Sequence, residues 1–244
     1  MLRYALVLTA LGCSSSSSSM DSPDVHNGAD GTVVAIDAPA TAARVPIVFV
    51  HGINGEAANF DALIARLVAD GWPTAELFPR TFDDPSWGCN VDNAETIDQW
   101  VDEIRASTGA AKVNVIAHSM GTLSSRHFIK ELGGTAKVER YITLGGMHHG
   151  LSSSCAATFP GAPCVWRELC ETGTFVQALN APPATPGNLH WISIFGTADE
   201  TVPNSSSQLT GAENIAMPNV THEGLLDDAP TFVEIERVLA YPPK

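Results

Sequence analysis

The patterning of the chain predicts an α/β fold, a mostly parallel sheet with helices on both faces. Two observations carry that expectation. Apolar, β-branched runs of strand length alternate along the chain with stretches whose apolar residues recur at helical spacing. The 244 residues, 44% of them hydrophobic, also supply enough apolar material for one domain with a sizeable core.

In chain order, Thr32 to Ile36 is a candidate edge strand, and Val45 to Val50 is a firmer one that ends in His51-Gly52-Ile53-Asn54-Gly55. Phe60, Leu63, Ile64, Leu67 and Val68 then share one face of a helix that Gly71 stops. Thr74 to Phe78 reads as a short strand. After a loop holding Cys89, a second helix puts Ile97, Trp100, Val101 and Ile104 on one face. Val113, Val115 and Ile116 mark a buried strand, followed by a helix with Leu123, Phe128, Ile129 and Leu132 that Gly133-Gly134 ends. Val138 to Leu144 is a further strand. Irregular, Ser- and Cys-containing sequence runs from there to about Gly173, and Phe175 to Leu179 forms a brief helix. His190 to Phe195 and Asn214 to Met217 are the last strands. Phe232, Ile235, Val238 and Leu239 close the chain on a helix opened by Asp228 and Pro230. No internal repeat is visible.

The first 13 residues resemble an export signal: Arg3 gives a positive start, Tyr4 to Leu11 an apolar stretch, and Ala10-Leu11-Gly12-Cys13 a small-residue cleavage site. That tetrapeptide is similar to a bacterial lipobox with Ala10 where Leu is usual, so lipid attachment at Cys13 is expected, against the simpler reading of an ordinary secretory peptide. Residues 14–31, beginning with a run of serines, read as a flexible tether. Residues 32–244 then make up the single folded domain. Apart from Cys13 there are four cysteines, Cys89, Cys155, Cys164 and Cys170, an even set in a chain bound for an oxidising compartment. Two disulfides are expected, and three pairings remain open. A metal site is not expected, because no C-x-x-C pair occurs and adjacent His148 and His149 cannot easily share one tetrahedron. No cofactor is expected either. With 13 basic residues against 27 acidic, the net charge of −14 disfavours nucleic acid and anionic membrane surfaces as partners. No stretch approaches the roughly 20 apolar residues of a membrane span.

In an open parallel sheet, chemistry collects beyond the C-terminal ends of the strands. The richest such end is Ala117-His118-Ser119-Met120-Gly121, where a buried strand breaks at a serine flanked by small residues and a helix follows. That is the context of a nucleophile elbow, in which the serine is strained and the residue after it presents its N–H at a helix N-terminus. Beyond the strand ending at Phe195 comes Gly196-Thr197-Ala198-Asp199, and beyond Met217 comes Val220-Thr221-His222-Glu223-Gly224. A nucleophile, an acid and a base thus arrive in the order Ser…Asp…His. Glu200, next to Asp199, is the alternative acid. His118 and His127 read as packing residues, whereas His148 and His149 could line the cleft.

These pieces resemble the class 2 lipase family, small bacterial α/β-hydrolase lipases. The resemblance rests on Val48-Phe49-Val50-His51-Gly52-Ile53 before a helix, the serine turn, the strand end at Asp199, and Thr221-His222-Glu223-Gly224-Leu225-Leu226. It covers the chain from about Arg44 to the C-terminus. It implies an α/β-hydrolase fold, hydrolysis of a small neutral ester or lipid, and an oxyanion hole made by the N–H groups of Ile53 and Met120. It also fits a secreted enzyme or a lipid-anchored protein of the bacterial envelope. The interval Gly145 to His190 contains three cysteines and no long amphipathic helix, so a minimal lid or none is expected. Within enzymes, a thioesterase or acyltransferase would use the same residues. Outside them, a catalytically silent surface binding protein is disfavoured by the intact Ser, Asp and His.

Overall fold

The computed structural model describes residues 44–157 and 159–240. The export signal with Cys13, the tether and the candidate strand at residues 32–36 lie outside the described residues. Six strands form one sheet in the order β2-β1-β3-β4-β5-β6, with every neighbouring pair parallel. They are β1 (Ile47–Val50), β2 (Leu77–Arg80), β3 (Val113–His118), β4 (Val138–Leu144), β5 (His190–Gly196) and β6 (Glu213–Met217).

The sheet is covered on both faces because successive side chains of a strand point to opposite sides. Ile47 and Phe49 of β1 enter one core with Leu63 and Leu67 of α1 (Asp61–Ala69) and with Phe232, Ile235 and Val238 of α7 (Ala229–Ala240). Val48 and Val50 enter the other, with Ala94, Ile97, Val101 and Ile104 of α2 (Asn90–Thr108) and Phe128 and Ile129 of α3 (Gly121–Glu131). All four β1 side chains are therefore buried. Continuous apolar runs are what doubly covered parallel strands require. Among the described residues, no helix is long and apolar enough to cross a membrane.

Three expectations need correction. The first strand begins at Ile47 rather than Val45, since the polypeptide only joins the sheet after Pro46, whose carbonyl accepts from Asn114 N–H at 2.8 Å. The second strand lies at Leu77–Arg80, not Thr74 to Phe78, because Thr74–Glu76 is wound into a 3₁₀ turn after Pro73. Pro79 is tolerated there because β2 is the sheet edge. The stretch read as irregular contains a helix, α4 (Cys164–Leu169), before α5 (Thr174–Asn180). Short helix α6 (Asn204–Ser207) also went unread, since Asn-Ser-Ser-Ser is turn-like by composition.

The Gly145 to His190 interval packs as a third apolar cluster, in which Val165, Leu169 and Leu179 meet Met120 and Leu123 of the elbow region. Its ties are disulfides and hydrogen bonds. Cys155–Cys170 closes the segment on itself and Cys89–Cys164 fastens it to the start of α2. Beside that bridge, the Asn90 N–H at the α2 N-terminus donates to the Glu168 carboxylate. At the other end, buried Arg126 of α3 donates to the carbonyls of His148 (3.1 Å), Leu179 (2.9 Å) and Ala184 (3.3 Å) and to the Asn180 side chain. Burial pulls the Arg126 guanidinium down to about 10, so it stays charged at neutral pH. Lys130 Nζ adds donations to the carbonyls of Ala178 and Ala181 at 3.0 and 2.6 Å, where the α5 dipole ends.

Candidate active site

The site grows out of the turn between β3 and α3. Ser119 has φ 54°, in the left-handed region that a non-glycine residue adopts at a cost of about 1–3 kcal/mol. Its neighbourhood holds it there. Ser119 N–H donates to Leu144 O at 3.0 Å, and Ser119 O accepts from Thr122 N–H (3.1 Å) and Thr122 Oγ1 (2.7 Å). The turn also brings α3 hard against β1: a Cβ at Gly121 would stand 2.3 Å from His51 O and 2.8 Å from Val50 O. Only glycine fits, which is the reason for small residues around such a serine.

Two loops deliver partners to Ser119. After β5, Asp199 accepts from the N–H groups of Thr201 (2.9 Å) and Val202 (2.7 Å) on one carboxylate oxygen, and its other oxygen meets His222 Nδ1 at 2.8 Å. After β6, His222 places Nε2 2.9 Å from Ser119 Oγ. Adjacent Glu200 instead accepts from the backbone N–H of His222 at 3.3 Å, so only Asp199 meets the ring. Burial alone raises the Asp199 carboxyl, but hydrogen bonds from His222, Val202 and Thr201 outweigh it and hold the group below its ordinary value. Gly145, at φ 56°, clears space for this pair, since a Cβ there would lie 2.9 Å from His222 Nδ1.

The Ile53 loop is fixed from behind by His51. Its Nδ1 donates to Gly52 O at 2.7 Å and its Nε2 accepts from Phe82 N–H at 3.1 Å, so the ring is a neutral spacer with both nitrogens used. Burial lowers its pKa accordingly. Asn54, at φ 57°, ties the same loop to Pro85 O at 2.8 Å. Ile53 faces the cleft, and Met120 sits at the N-terminal end of α3. Among the described residues, neither of their N–H groups donates to a protein acceptor. The cleft above Ser119 and His222 encloses about 380 Å³ and is walled by Ile53, Asn59, Met147, Thr201 and Glu223.

Other histidines settle differently. His118 reads from sequence as a packing residue, but it lines the cleft, with its ring 4.6 Å from that of His222 and its Nε2 3.3 Å from the His222 carbonyl. Burial, with the neighbouring His222, pulls it down to about 3. Nothing local in the sequence signals that contact, because the partner is 104 residues away. His148, which the sequence allowed to line the cleft, is instead fully buried with Nε2 3.1 Å from Thr143 Oγ1. His149 lines a separate pocket with Gln208 and Asn214. His127 packs on Phe175. As for metal-ligating groups, one nitrogen each of His118 and His222 and a Glu223 carboxylate oxygen lie within 4.8 Å of one another.

Comparison with known proteins agrees with this architecture. The family model described as Lipase (class 2) matches residues 44–229. The chain is similar to the mature Bacillus licheniformis lipase BlEst2, with TM-score 0.69 and 20% identity over 86% of this chain and 97% of that one. Aspergillus fumigatus lipase B follows, with TM-score 0.68 and 18% identity over 82% of this chain and 53% of that one. Phospholipase PlaB from Legionella pneumophila gives TM-score 0.68 and 16% identity over 82% and 61%. At these identities the likeness to solved structures speaks for the α/β-hydrolase fold.

Proposed function

The chain belongs to the class 2 lipase family of carboxylic ester hydrolases, and from that premise we propose that it cleaves its ester through an acyl-enzyme on Ser119, with His222 as the general base and Asp199 as the carboxylate that orients it. The observation that carries this reading is the line of contacts from Asp199 Oδ2 to His222 Nδ1 (2.8 Å) and from His222 Nε2 to Ser119 Oγ (2.9 Å).

Each part has a task. A serine hydroxyl is a poor nucleophile until an imidazole takes its proton, and His222 Nε2 is within reach to do so. As Oγ bonds to the ester carbon, the carbonyl oxygen becomes an oxyanion. The N–H groups of Ile53 and Met120 are our candidates to receive it, each worth about 3 kcal/mol by analogy with measured oxyanion donors. His222 then returns the proton to the departing alcohol, water attacks the acyl-serine by the same route, and the carboxylic acid leaves. Asp199 holds the tautomer with Nδ1–H and stabilises the imidazolium between steps. A small neutral ester or lipid suits a cleft of about 380 Å³ on a protein of net charge −14.

Export is part of the same reading. Cys89–Cys164 and Cys155–Cys170 support an oxidising compartment, with residues 1–13 as leader, Cys13 as lipid attachment site and residues 14–31 as tether to the domain at 32–244. Mass analysis of the mature N-terminus decides it.

For the chemistry, a fluorophosphonate should label Ser119 and no other residue. Labelling elsewhere, or activity retained by Ser119→Ala, overturns the assignment.

A further inference from the structure

We propose that His118, His222 and Glu223 form a binding site for a zinc-like divalent cation at the cleft, and that its occupation switches the hydrolase off. Three donor atoms, one from each residue, lie within 4.8 Å of one another. All three residues line the cleft beside Ser119. Two imidazoles and one carboxylate are a donor set that zinc accepts, with a fourth position left for water or a hydroxyl oxygen.

Each imidazole already has one ring nitrogen engaged, as zinc-binding histidines do. A metal-binding histidine almost always gives its other ring N–H to a carboxylate or a carbonyl, which fixes the ring and strengthens the remaining lone pair. His222 Nδ1 meets Asp199 Oδ2 at 2.8 Å and leaves Nε2 as the donor. His118 Nε2 lies 3.3 Å from the His222 carbonyl, and donation there leaves Nδ1. Glu223 is exposed, and among the described residues its carboxylate has no hydrogen-bond or ion-pair partner. A tetrahedral zinc holds its donors roughly 3.4 Å apart, so donors now within 4.8 Å of one another close up on the ion when it binds. The net charge of −14 raises the local concentration of cations.

Occupation stops catalysis for a simple reason. The Nε2 lone pair that would take the Ser119 proton is donated to the metal instead. Ser119 Oγ, 2.9 Å from Nε2, meets that same lone pair, so the ion and the serine hydroxyl compete for it. The inhibition rests on the triad reading above; the binding does not.

The test uses zinc chloride on the purified mature protein. Calorimetry on the Ser119→Ala protein should show one saturable site. Glu223→Gln should weaken it at least about tenfold, while Asp227→Asn, an exposed carboxylate four residues on, should leave it unchanged. On the protein with Ser119 intact, zinc should inhibit competitively with a short ester, and a chelator should restore the rate. Absence of saturable binding, or equal loss in Glu223→Gln and Asp227→Asn, overturns the site. Zinc binding as described in a protein that no fluorophosphonate labels upholds the site and sinks the triad reading instead.

Discussion

The turn at Ser119 and the segment from Gly145 to His190 pack against each other and are held by opposite means. The turn is mostly local: a buried strand, a serine at φ 54°, and Thr122 bonding back to it from three residues away. The segment has helices of only six and seven residues, α4 and α5, too short to stand alone. It is held by partners far away in sequence: Cys89, Arg126, Lys130 and the N-terminus of α2. The difference separates the serine turn from the segment packed against it. Strain at the serine is supported by hydrogen-bonded neighbours, while the segment beside it is stapled on from outside.

That separation predicts two kinds of variant, and the largest effects lie at the turn. Ser119→Ala should lower kcat at least about a thousandfold, with a melting temperature unchanged. Asp199→Asn should lose up to about ten thousandfold, whereas Glu200→Gln, whose carboxylate meets only a backbone N–H, should lose little. The reverse order for the two carboxylates would move the acid to Glu200.

Variants in the segment should do the opposite. Cys89 and Cys164 are 75 residues apart, so replacing both by serine should cost up to about 4.5 kcal/mol in urea unfolding, with kcat spared. The 15-residue separation of Cys155 and Cys170 makes that bridge worth less, about 3 kcal/mol. Arg126→Met strips the donor from three carbonyls and should cost about 2–4 kcal/mol. A thousandfold loss of kcat with stability intact in any of these three variants would break the comparison.

The smallest effect is in acid. His148 is fully buried, and burial holds its pKa well below the ordinary 6.5. The unfolded chain takes up a proton there that the folded chain refuses, so stability falls as pH drops below 6.5. By pH 5.5 this one group accounts for about 1.4 kcal/mol. His118 acts with the same sign, since burial pulls it to about 3. Asp199, depressed below its ordinary 3.8, contributes stability that is lost only in stronger acid, as pH falls through its folded value. The urea midpoint should therefore fall between pH 7.5 and 5.5, and His148→Gln should flatten that slope. An unchanged slope in the variant would remove His148 as the cause.

How much of this was legible depended on how far apart in sequence the interacting groups lie. The parallel α/β sheet could be read from Ile47–Val50, Val113–His118 and Val138–Leu144, because burial on both faces demands continuous apolar runs. The serine turn was legible too, since its geometry requires small residues at fixed offsets within five positions. Even cysteine count sufficed to expect two bridges. Which cysteines pair, which of two adjacent carboxylates reaches His222, and that His118 lies against His222 rather than in a core were decided by the tertiary structure alone. Those contacts join residues 15 to 104 positions apart. Local propensity and periodicity act over a turn or a strand, so they cannot choose among distant partners. Only the packing of the sheet and its loops brings such groups into contact.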